Sequence, residues 1–64
     1  MAETRLFIAK YSTAFIPDTN TPAFNEGEVL ELIMEHPNGW LELQTPGGEI
    51  GFVPPAWVNA VPAV

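Results

Sequence analysis

The sequence predicts an all-β fold, five short strands closed into a small barrel with a short 3₁₀ turn before the last strand. Three observations point there. β-rich segments of four to eight residues alternate with Gly, Pro, Asn and Asp turn signals. Within the segments, apolar residues recur at every second position, the period of a half-buried strand. No stretch keeps a helical period for more than a few residues.

The elements follow in order. "RLFIAKY" (5–11) is β-rich and opens the fold. "PDTNTP" (17–22) is loop, fenced by Pro17 and Pro22, within a long connection over 12–24. "EVLELIM" (28–34) alternates, with Leu30, Leu32 and Met34 on one face and Val29, Glu31 and Ile33 on the other. "HPNG" (36–39) is a turn, since Asn and Gly tolerate the positive φ that tight turns require. "WLELQT" (40–45) is the next strand, "PGG" (46–48) a turn, and "EIGFV" (49–53) a short strand. Pro54 and Pro55 have no amide donor, so "PPAW" (54–57) cannot sit inside a ladder and suits a single 3₁₀ turn. "VNAV" closes the sheet. Barrel closure protects strand edges that would otherwise stay open. The expected core is Phe7, Ala9, Phe24, Leu30, Leu32, Leu43, Val53 and Val58.

Sixty-four residues make a single domain, 1–64, with its core over about 5–61, and such a small unit reads as one part of a larger multidomain protein. The chain has no cysteine, which rules out disulfides and thiolate metal sites and fits a cytoplasmic setting. No apolar run approaches the roughly 20 residues of a membrane span. "MAETR" lacks the basic and apolar regions of a signal peptide. Eight acids face only Arg5 and Lys10, for a net charge of −6. Neither nucleic acid nor an anionic membrane is therefore an expected partner, whereas a cationic partner would be attracted on approach. Catalysis is not expected. Ser12 is the only serine, the one histidine is far along the chain, and a barrel this small is filled by its own side chains. No cofactor or metal is expected, and His36, beside Pro37, reads as a solvent-facing turn residue.

The aromatic residues break the inside-outside pattern. With Leu41 and Leu43 inward, Trp40, Glu42 and Gln44 point outward. With Val53 inward, Ile50 and Phe52 point outward. Cross-strand pairing then brings Trp40 and Phe52 together, with Pro54 and Trp57 following on a rigid turn. A contiguous exposed aromatic patch marks a binding site. Alternatively, the 12–24 segment folds over Trp40 and makes it a satellite of the core. The strand pattern alone leaves both readings open.

Over about residues 5–61 the chain resembles an SH3 domain. "IAKYS" stands where that family has Ala-Leu-Tyr-Asp-Tyr, and "FNEGEVLELI" resembles its diverging turn and following strand. "NGWLELQ" carries the groove tryptophan as Trp40, and "GFVPPAWV" resembles the Gly-Phe/Tyr-Ile/Val-Pro-Ser-Asn-Tyr-Val ending. The resemblance implies an SH3-like barrel and a non-catalytic adaptor or targeting module of intracellular signalling or cytoskeletal assembly. Its ligands would be proline-rich PxxP segments in the polyproline II conformation, which lose little chain entropy on docking. Tyr11, Trp57, Pro54 and Trp40 match the groove positions, with Phe52 beside them. Asp18, Glu35 and Asn38 are the candidate specificity residues, the two acids for an Arg or Lys flanking the prolines.

Four positions depart from the pattern. The second tyrosine is Thr13, with Phe15 two residues on as its candidate replacement. The asparagine before the last aromatic is Ala56, the last aromatic is Trp57, and the Leu of the first motif is Lys10. In the first loop, Thr21 stands nearest the usual acid. The alternative function is therefore a divergent module that binds a folded partner, such as an ubiquitin-like domain, another domain of its parent or a second copy of itself, although a monomer is the expected state.

Overall fold

A computed structural model describes residues 5–62. It contains β1 (Leu6–Ala9), β2 (Val29–Glu35), β3 (Leu41–Gln44), β4 (Ile50–Val53), a 3₁₀ turn (Pro55–Trp57) and β5 (Val58–Ala60). The five strands form one antiparallel sheet in the order β4-β3-β2-β1-β5. The expected elements are all present; β1, β3, β4 and β5 are shorter than expected, whereas β2 keeps its length and lies one residue later at each end.

β2 is shared between the two halves of the sheet. Val29–Glu31 pair with β1, and Glu31–Glu35 pair with β3. Between Leu32 and Met34 the register slips, so that Leu32 faces Leu43 and Met34 faces Glu42. Ile33 is the extra residue of a bulge, which bends a strand and increases its twist. The bend explains why the alternation expected for 28–34 ends early: both Ile33 and Met34 are exposed.

The core consists of Phe7, Ala9, Phe24, Leu30, Leu41, Leu43, Val53 and Val58. It differs from the expected set by one exchange, Leu41 for Leu32. Leu32 packs against the core but is only half-buried. Its amide donates to the carbonyl of Arg5, one residue outside β1, so Leu32 sits at the rim of the barrel. Leu41 lies directly across from fully buried Val53.

The 12–24 connection is more ordered than a plain loop. Thr13 and Phe24 exchange backbone hydrogen bonds, as do Ile16 and Thr21, which makes an irregular two-rung hairpin with its turn at 17–20. Asn20 takes φ 54, a left-handed conformation that Asn tolerates better than most residues. This turns its carbonyl toward β4, where it accepts the Phe52 N–H at 3.0 Å. Gly51 permits the approach. A Cβ there would run into the Asn20 carbonyl oxygen and sit 2.7 Å from Pro22 Cδ. The hairpin thus covers the free edge of β4, the protection that an exposed edge strand needs.

Candidate functional site

The register places the aromatic side chains. Glu42 is directly opposite Phe52, and Leu41 is opposite Val53. Trp40 and Pro54 flank the Leu41–Val53 pair at the same end of the β3–β4 hairpin. Trp40 is therefore the diagonal, not the direct, neighbour of Phe52. Both are half-buried rather than roofed over, and both line an open cleft of about 670 Å³. Thr19 from the first hairpin and His36, Pro37 and Asn38 from the β2–β3 loop complete its walls.

The β2–β3 loop is shaped by its own hydrogen bonds. His36 N–H donates to the Trp40 carbonyl at 3.0 Å, and Asn38 Oδ1 accepts the Trp40 N–H at 2.9 Å. These bonds fix Trp40 at the mouth of the loop. His36 is not the solvent-facing turn residue expected from sequence. It is half-buried, its ring meets the Phe52 ring edge-on at 5.0 Å between centroids, and its Nε2 lies 2.9 Å from Glu42 Oε1. A carboxylate oxygen accepts, so Nε2 is the ring nitrogen that carries the proton. Sequence reasoning missed His36, Pro37 and Thr19 as lining residues.

The other groove candidates, Tyr11, Phe15, Pro54 and Trp57, are not among the residues that line this cleft. Tyr11 and Phe15 are 58% and 55% exposed, Tyr11 between β1 and the first hairpin and Phe15 between the hairpin's two rungs. Pro54 is extended (φ −63, ψ 139) and half-buried. Trp57 has a double position. It is partly buried against the core where the 3₁₀ turn carries the chain from edge strand β4 to edge strand β5, and its carbonyl accepts the Lys10 N–H at 2.8 Å. Tyr11 is the next residue after Lys10. Ala56 is exposed on the same turn.

The acids are placed unevenly. Asp18 is exposed at the tip of the first hairpin. Glu35, at the end of β2, is bonded to Arg5, and both side chains are more than half exposed. Thr21, nearest to the expected acid position, is fully buried, its hydroxyl donating to the Phe52 carbonyl at 2.6 Å. Ser12 Oγ accepts the Glu26 N–H at 2.8 Å, and Glu28 accepts the Asn25 N–H, so both belong to the turn before β2. Among the described residues no three His, Asp or Glu side chains gather as metal ligands. Nor is any helix among them long and apolar enough to cross a membrane.

No protein-family profile matches the sequence, and no curated protein does. Among solved structures, the chain is similar to the C-terminal SH3 domain of myosin IB from Entamoeba histolytica, crystallised bound to an EhFP10(GEF) peptide. The likeness covers 97% of this chain and 100% of that one, with a TM-score of 0.78 at 19% identity. The chain has the SH3 fold.

Proposed function

We propose that this domain is a protein-interaction module that binds proline-rich segments in the polyproline II conformation. The surface would be formed by Tyr11, Phe15, Trp40, Phe52, Pro54 and Trp57. The observation that carries the reading is that half-buried Trp40 and Phe52 line one open cleft at the end of the β3–β4 hairpin, with Pro54 two residues on from Phe52. Nothing in barrel packing requires an indole there, whereas a stiff proline helix docks against such rings with little entropy loss. The similar myosin IB domain was crystallised with a peptide, which supports a peptide ligand here. The net charge of −6 would draw a segment that carries an Arg or Lys on approach, with exposed Asp18, outside the cleft, as the candidate acid to meet it. Glu35, held by Arg5, offers less. The role is that of a monomeric, non-catalytic adaptor or targeting domain of a larger cytoplasmic protein.

The test is a titration with proline-rich peptides, followed by tryptophan fluorescence and amide shifts. Shifts centred on Tyr11, Trp40, Pro54 and Trp57 are expected. Trp40→Ala should weaken binding by about 2 kcal/mol, as loss of a central aromatic anchor does, and leave the circular dichroism of the barrel unchanged. Trp40 is the cleaner probe, because Trp57 also packs on the core. Unfolding of Trp40→Ala would make Trp40 a core residue and misplace the site. Silence across a broad peptide set would move the function to a folded partner.

A further inference from the structure

We infer that the cleft beside Trp40 selects an uncharged apolar side chain of the bound peptide and disfavours a cationic one, an inference that rests on the peptide-binding reading above. Its walls are the rings of Trp40, Phe52 and Pro37, the neutral polar groups of Thr19 and Asn38, and His36. A cation entering this space gives up water and needs a carboxylate in return. The neighbouring carboxylates are engaged elsewhere or stand apart. Glu42, the acid paired across from Phe52, is bonded to His36. Glu35, just before the loop, is bonded to Arg5. Asp18 is in the hairpin tip but is not among the lining residues. Glu31 lines a different hollow, with Leu6 and Val29. Where an acid would complete the cleft from the first hairpin, the chain has Thr21, buried and turned to the Phe52 carbonyl.

Magnitudes decide between the two occupants. Attraction of a guanidinium to the face of Trp40 is worth about two- to fivefold in affinity at an exposed site. Burying a Leu or Phe side chain is worth about tenfold or more.

The probe is a set of synthetic peptides with one Pro-x-x-Pro core, flanked at both ends by Leu, by Arg or by Ser, so that docking orientation does not matter. At physiological ionic strength the Leu-flanked peptide should bind about tenfold more tightly than the Ser-flanked one, and more tightly than the Arg-flanked one. Asn38→Asp supplies the missing charge with little change of shape, and its carboxylate still accepts the Trp40 N–H. That variant should bind the Arg-flanked peptide several times more tightly than wild type does and gain nothing for the Leu-flanked one. Equal binding of all three peptides, or a lead for Arg on the wild-type domain, overturns the selectivity and leaves the peptide-binding reading standing. Absence of saturable binding by any of the three overturns both.

Discussion

Thr21 shows how one hydroxyl sets the relation between the first hairpin and the sheet. Its side chain is fully buried, donates to the Phe52 carbonyl and lies 2.7 Å from Thr19 Oγ1. Since its single hydrogen goes to Phe52, Thr19 donates to Thr21. Thr21→Val keeps the shape but leaves a buried carbonyl without this partner, at a cost of about 1–3 kcal/mol. In urea titrations the midpoint should fall at constant slope. Thr13→Val is the control. That hydroxyl is bonded only to the adjacent Ala14 carbonyl, so stability should change by less than about 0.5 kcal/mol. Equal stability of Thr21→Val and wild type would mean that the buried hydroxyl anchors nothing.

At the scale of the element, the hairpin over 12–24 covers the β4 edge and brings Thr19 to the cleft, and Gly51 is what lets it approach. Gly51→Ala pushes a methyl group into the Asn20 carbonyl and Pro22. The expected loss is about 1–3 kcal/mol, typical of overpacking, with faster hydrogen exchange at the Phe52 amide that Asn20 holds. Unchanged protection of that amide would show that the hairpin closes the edge by another contact. This element was also the least legible in the sequence. The strands over 28–34, 40–45 and 49–53 were readable because one face is buried and the period is two. The hairpin has only two rungs, and Pro17 and Pro22 interrupt any strand signal. Its order comes from β4, about thirty residues further on in the chain. The same limit explains Leu32, since the Ile33 bulge and the rim position depend on which residues β1 and β3 present to it. Alternation pointed Trp40 and Phe52 outward but left open whether the 12–24 segment roofs Trp40, whereas His36 needed the loop's hydrogen bonds before its place in the cleft could be seen.

For the whole molecule, the charge of −6 acts on a body of 34 × 25 × 21 Å. The Debye length is about 30 Å at 0.01 M salt and about 10 Å at 0.1 M. At the lower concentration every acid therefore feels every other, and at the higher one only near neighbours interact. The Arg5–Glu35 pair is exposed and worth less than about 1 kcal/mol, too little to offset repulsion among the remaining acids. Raising salt from 0.01 to 0.1 M should therefore stabilise the fold and raise the urea midpoint. The same change should slow association with any Arg-containing peptide, because steering toward the acidic surface is screened. The two effects have opposite signs and can be read on one sample series by equilibrium unfolding and stopped-flow fluorescence. A midpoint that falls with salt would show that the Arg5–Glu35 and His36–Glu42 contacts outweigh the repulsion. A salt-independent association rate would place Asp18 and its neighbours too far from the peptide's path to guide it.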